Sequence, residues 1–126
     1  MGGMPDRDNP VVLVADAKAN VLEDVSATLE KAGFTVLTAL GSAPVLDLCV
    51  RRPELIQLAI LDMAMPGFGP DLVQQIRSSY PGIRILYTSE VDESQGVREF
   101  MRKPFRRSQL LGRALQMLDA PMVLTA

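Results

Sequence analysis

Residues 57–69, QLAILDMAMPGFG, limit the fold more than any other stretch of the chain. Leu58-Ala59-Ile60-Leu61 is an unbroken apolar run. It is too short for a helix and bounded by polar residues, so it reads as a strand buried on both faces. The run ends in Asp62, and Met65-Pro66-Gly67 then turn the chain away, because proline fixes φ and glycine permits positive φ. In an open parallel sheet, ligands sit outside the carboxyl ends of the strands. Asp62 falls at such an end. The plain alternative, an acid that ends a strand and caps a turn, stays open on this stretch alone.

The remaining sequence supplies a rhythm of strands and helices. Residues 1–10 are rich in Gly, Pro and Asp and read as a flexible lead-in. Val11-Val12-Leu13-Val14-Ala15 is a second buried strand, again ending in an acid, Asp16. Residues 20–32 place Val21, Leu22, Val25, Leu29 and Ala32 at helical spacing, with Gly33 as a stop. Phe34-Thr35-Val36-Leu37-Thr38 is β-rich. Ser42 can cap a helix with Pro44 in its first turn, and Arg51-Arg52-Pro53 ends it. After the Asp62 strand, Pro70 and Asp71 open a helix through Leu72, Val73 and Ile76 that stops at Tyr80-Pro81-Gly82. Ile83-Arg84-Ile85-Leu86-Tyr87 is the next strand and runs into Thr88-Ser89. A fifth strand over residues 98–102 carries Phe100 and meets Lys103-Pro104-Phe105, and residues 108–118 form a last amphipathic helix. Residues 120–126 are a short apolar tail. This alternation predicts a single α/β domain over residues 11–119, with a parallel sheet covered on both faces.

One interval breaks the rhythm. Roughly nine residues, 89–97, separate the fourth and fifth strands, whereas a crossover with its helix needs at least about 10–12. The fourth crossover helix is expected to be a single turn or a loop.

Composition removes whole classes of function. A chain of 126 residues with 48% apolar content suits one globular domain. Its net charge of −2 gives no general attraction to nucleic acid or to an anionic membrane. The absence of His removes imidazole catalysis and most transition-metal sites. A single cysteine, Cys49, makes no internal disulfide and suits a reducing compartment. No apolar run approaches a membrane span. Met1-Gly2-Gly3-Met4-Pro5 lacks the parts of a signal peptide, and Asp6 stands where a myristoylation motif needs Ser or Thr. The expected setting is cytoplasmic.

Asp16, Asp62, Thr88 and Lys103 all fall at carboxyl ends of expected strands, so a parallel sheet brings them to one rim. Two neighbouring carboxylates can hold a hard cation such as Mg²⁺. A hydroxyl and an ammonium beside them suit phosphoryl oxygens. A carboxylate so placed can act as a nucleophile and form an aspartyl phosphate.

On these residues the chain resembles the receiver domain of bacterial two-component response regulators, from Val11 to Leu118. The matching pieces are Val12-Leu13-Val14-Ala15-Asp16, Leu61-Asp62-Met63-Ala64-Met65-Pro66-Gly67, Leu86-Tyr87-Thr88-Ser89 and Lys103-Pro104-Phe105. The resemblance implies a flavodoxin-like, doubly wound, five-stranded sheet of order 2-1-3-4-5. It implies that a histidine kinase or phosphotransfer protein passes a phosphoryl group to Asp62. Mg²⁺ would be held by Asp16, Asp62 and the backbone carbonyl of Ala64, and Thr88 and Lys103 would bind the phosphoryl oxygens. Phe100 would be the aromatic that rotates when Thr88 moves; simple core packing explains the residue equally well.

Three features depart from the family pattern. The usual pair of acids after the first strand is here Asp16-Ala17. The lost carboxylate is the one that usually touches the metal, so weak Mg²⁺ binding and slow phosphorylation are expected. Lys18 can reach toward Asp62 and Glu90 can offer a carboxylate, against the plainer readings of a solvated lysine and an ordinary loop acid. The shortened fourth crossover removes much of the surface through which the family meets partners or a second copy; its loop is a candidate for ordering on phosphorylation. The basic run Arg98, Arg102, Lys103, Arg106, Arg107 and Arg113 is either a solvated face or a dock for an acidic partner.

Two functions therefore compete: a phospho-accepting receiver that signals by protein contact, self-association included, and a pseudo-receiver that docks partners without phosphotransfer. Ala17 favours the second; Asp62, Thr88 and Lys103 favour the first. An aspartate-nucleophile phosphatase would need a general acid two residues after the nucleophile, where this chain has Ala64.

Overall fold

The computed structural model describes residues 10–51, 55–91 and 99–119. Among them five strands and four helices follow in order: β1 (Val11–Ala15), α1 (Ala19–Lys31), β2 (Thr35–Ala39), α2 (Ser42–Arg51), β3 (Ile56–Asp62), α3 (Pro70–Ser79), β4 (Arg84–Ser89), β5 (Phe100–Arg102) and α4 (Arg107–Asp119). The strands form one sheet in the order β2-β1-β3-β4-β5, and every neighbouring pair is parallel. This is the doubly wound, flavodoxin-like arrangement expected from the sequence.

The apolar runs become central strands because both faces of the sheet are covered. Alternate side chains then divide between two cores. Leu13, Ala59, Leu61 and Ile85 pack with Val45 and Cys49 of α2 and with Leu72 and Ile76 of α3. Val12, Val14, Leu58, Ile60 and Leu86 pack with Leu22, Val25 and Leu29 of α1 and with Leu110, Ala114 and Met117 of α4. Leu61 is fully buried, so truncating it to alanine would cost about 2–5 kcal/mol.

Local chemistry sets most element ends. Pro70 and Asp71 occupy the first turn of α3; a proline loses no helical hydrogen bond there, and an acid meets the positive end of the helix dipole. Gly33 takes a φ of 99° just beyond α1. Phe34, the first residue of the β-rich run 34–38, instead closes α1: its N–H bonds to the Leu29 carbonyl at 3.1 Å, so β2 starts one residue later. Ser42 does not cap α2 from outside. The carbonyl of Gly41 accepts the Val45 N–H at 3.3 Å, which makes Ser42 the first helical residue.

That shift gives Ser42 another role. Gly67, in the turn after β3, has a φ of 81°, and a Cβ placed there would overlap the Ser42 hydroxyl. The Ser42 N–H also donates to the Pro66 carbonyl at 3.1 Å. The start of α2 and the Met65-Pro66-Gly67 turn are thus fitted backbone to backbone.

Among the described residues no helix lies between β4 and β5. Residues 92–98, on which the expected loop or single turn falls, lie outside the described residues. So do Arg98, most of the expected lead-in, and the tail.

Two outcomes follow from this packing. Gly67→Ala should lower the urea midpoint by the equivalent of about 1–3 kcal/mol. Gly82→Ala, where an added Cβ meets nothing within 4 Å, should leave it nearly unchanged; equal effects would contradict the close approach to Ser42. Cys49 is buried, and burial pushes its thiol above the ordinary value. An aromatic disulfide reagent at mildly alkaline pH should leave it unmodified in the folded protein and label it fully in urea.

Candidate functional site

The site is built from the carboxyl ends of β1, β3, β4 and β5. Asp62 is the last residue of β3 and the register partner of Thr88 in β4, which pairs in turn with Met101 in β5. Asp16 follows β1 directly and extends its ladder, donating its N–H to the Ala39 carbonyl at 3.1 Å. Asp16 and Asp62 lie two residues beyond Val14 and Ile60, so they share the sheet face that carries α1 and α4. Lys103 stands two residues beyond Met101 on the same alternation, and its N–H bonds to the Ser89 carbonyl at 2.7 Å. The Lys103-Pro104 peptide is cis.

This placement brings three of the expected residues into direct contact. The Lys103 Nζ donates to Asp16 Oδ2 at 2.6 Å and lies 3.4 Å from Asp62 Oδ1. All three side chains are nearly enclosed, with 10% of Lys103, 4% of Asp16 and 3% of Asp62 exposed. Asp62 Oδ1 also accepts the Ala64 N–H at 3.1 Å, and Asp62 Oδ2 accepts the Ala17 N–H at 3.2 Å. Asp16 Oδ1 accepts the Lys18 N–H at 2.9 Å. Each carboxylate is therefore oriented by backbone donors and faces an ammonium. Thr88 is buried at 2% exposure, and its carbonyl accepts the Met63 N–H at 2.8 Å. That bond ties the turn after Asp62 to β4.

The other expected residues are dispersed around this centre. Ala17 and Ala64 are exposed on the flanking loops. Phe100 is the register partner of Tyr87 and packs at the edge of the core under α2 and α3. It therefore sits on the face opposite Asp62. Tyr87 is pinned on that face: Phe68 meets it edge-on with ring centres 6.2 Å apart, and Arg77 Nη2 donates to its hydroxyl at 3.3 Å. The basic run is partly consumed. Arg107 pairs with Asp24 at 3.2 Å, Arg102 reaches the Glu90 carbonyl at 3.5 Å, and Lys103 belongs to the site.

Lys18 and Glu90 stay largely exposed, as the plainer readings expect, but they are not isolated. They bond to each other, Lys18 Nζ to Glu90 Oε2 at 2.7 Å, with 57% and 62% of the side chains exposed. The Glu90 carboxylate holds the Lys18 ammonium above its ordinary pKa, and the ammonium holds the carboxyl below its own. Beside them a cleft of about 680 Å³, bordered by Val21, Val25, Lys103 and Phe105, opens along α1.

The donor set suits a hard cation only in part. Asp16 and Asp62 offer carboxylate oxygens around a common point, as a divalent ion needs. Among the described residues, however, no group of three or more acids, cysteines or histidines could hold a metal. The Lys103 ammonium already lies between the two carboxylates.

The comparisons with known proteins agree with the fold. The family model for the response regulator receiver domain matches residues 12–115. A response regulator from Thermotoga maritima superposes with a TM-score of 0.79 at 25% identity, covering 89% of this chain and 99% of that one. The chemotaxis response regulator CheY4 of Vibrio cholerae gives 0.77 at 25% identity, over 86% and 98% of the two chains. The sensor kinase CckA of Brucella abortus (strain 2308) is 28% identical in an alignment 118 residues long that covers 86% of this chain and 12% of that protein. The chain thus spans about an eighth of that relative's length, and with the family model matched over most of its residues it belongs to the response regulator receiver domain family.

Proposed function

We propose that the chain is a phospho-accepting receiver of a two-component phosphorelay, with Asp62 as acceptor. The observation that carries this reading is the Lys103 ammonium 3.4 Å from Asp62 Oδ1, on a rim where Thr88 is the register partner of Asp62. In the transfer, an Asp62 oxygen attacks phosphorus while the bond from phosphorus to the donor breaks, the electron pair leaving with the donor. The Ala17 and Ala64 N–H groups hold the carboxylate in place. Lys103 turns from the carboxylates to the incoming phosphoryl oxygens, and the Thr88 hydroxyl donates to another. Burial of Asp62 keeps water from the acyl phosphate. The likeness to part of a protein named a sensor kinase supports a histidine kinase or phosphotransfer protein as donor. Thr88 and Phe100 are the residues through which the state of Asp62 would be read out by partners. A cytoplasmic setting suits this exchange.

Mg²⁺ is the proposed cofactor, which Asp16, Asp62 and the Ala64 carbonyl would hold weakly. When bound it neutralises charge on the phosphoryl group. Ala17 leaves that ion one carboxylate short, and this favours the second reading, a pseudo-receiver that docks partners without phosphotransfer. The chain is not proposed as a turnover enzyme, because Ala64 offers no general acid beside Asp62.

Intact mass after incubation with phosphoramidate and Mg²⁺ separates the two readings. One phosphoryl increment is expected, lost in Asp62→Asn; repeated failure to form it supports the docking module. Lys103→Ala should slow the increment by roughly 10–100-fold, the worth of a charge-assisted contact of about 1.5–3 kcal/mol. Ala17→Asp should bind Mg²⁺ about tenfold more tightly in a calorimetric titration, or ~1.4 kcal/mol. An unchanged affinity would remove position 17 as the cause of weak binding.

A further inference from the structure

The Lys18–Glu90 bond joins two loops across a strand. Lys18 follows β1 and Glu90 follows β4, and in the sheet these strands flank β3 on either side. The bond therefore passes over the end of β3, where Asp62 lies. Asp62 and its neighbour Asp16 also hold the loop under Lys18 in place, through the Ala17 and Lys18 N–H groups. A lysine stem anchored there is long enough to point its ammonium either outward to Glu90 or inward to Asp62.

Resting on the acceptor reading above, we propose that Lys18 is a positioning residue that changes partners: it is clasped by Glu90 while Asp62 is unmodified, and it moves to the phosphoryl group once that group is on Asp62. Two observations carry this. The pair is largely exposed, and exposed ion pairs are weak and readily exchanged. A phosphoryl group brings up to about two negative charges and three acceptor oxygens, more than one carboxylate offers. At the same rim the carboxylate that would bring a metal's charge is replaced by Ala17, so a mobile ammonium supplies positive charge where the site lacks it. The exchange also frees Glu90, which directly follows β4, and so connects Asp62 to that strand's end.

The test compares wild type with Lys18→Gln, Lys18→Arg and Glu90→Gln, each checked for an unchanged urea midpoint. Phosphoramidate is the donor, with Mg²⁺ and with a chelator in its place. Asp62 displaces ammonia from its zwitterionic form: the O–P bond forms, and the P–N electron pair leaves on nitrogen. Lys18→Gln should accept the group about fivefold more slowly, and Glu90→Gln about fivefold faster, the scale of one exposed charge pair. Both effects should be larger without Mg²⁺, and Lys18→Arg should restore the rate. Carbodiimide should couple Lys18 to Glu90 in the unmodified protein. That coupling should vanish in the phosphorylated protein and persist in Asp62→Asn treated alike. Wild-type rates in Lys18→Gln, slowing in Glu90→Gln, or coupling that survives phosphorylation would each overturn the exchange and leave the acceptor reading standing. A wild-type protein that takes up no phosphoryl group would overturn both.

Discussion

The ammonium of Lys103, set between Asp16 and Asp62, is the contact on which the rest of the site depends. Two carboxylates enclosed at the end of a sheet repel each other and lose hydration, and an ammonium between them offsets both costs. Lys103 supplies that cation from a position 87 residues away from Asp16 in the sequence. It can do so because β5 lies beyond β4 in the sheet and because its own N–H is fixed to the Ser89 carbonyl. The arrangement closes the rim: β1, β3 and the chain after β5 converge on one charge. It also sets a condition on the proposed chemistry, since a phosphoryl group on Asp62 would draw on the same ammonium that holds the acids together.

Much of this was legible in the sequence, for a physical reason. A strand buried on both faces must be apolar throughout, so the first polar residue after Val14-Ala15 or Ile60-Leu61 marks the point where the apolar core ends. Asp16 and Asp62 are those residues, and a parallel sheet has no other place for them than one edge. Thr88 follows from register with Asp62. The two cores follow from the same runs, because alternation along a doubly covered strand assigns neighbours to opposite helical layers.

Other features carried no such signature. Lys18 and Glu90 are exposed charges 72 residues apart; nothing in periodicity or propensity links two solvated side chains, and only the order β1-β3-β4 shows that they meet over Asp62. Ser42 has a capping residue's composition, yet its start position depends on how α2 meets the turn after β3, a tertiary contact that overrides local preference. Phe34 has the β propensity of the run that becomes β2, while its N–H is committed to ending α1. Phe100 lies on the face away from Asp62, a distinction set by the register of a three-residue strand.

The two margins of the sheet are unequal, and this bears on how the protein behaves when concentrated. β5 offers only three residues and ends in Arg102, a short charged border that discourages extended chains from adding to it. β2 offers five residues, Thr-Val-Leu-Thr-Ala, with no charge among them. Among the described residues no strand pairs with its outer edge, and that is the side on which a foreign strand, or a partly unfolded molecule of the same kind, finds the better template for aggregation. A lysine in place of the exposed Thr35 or Thr38 is the substitution that would guard that border while leaving the Asp62 rim untouched.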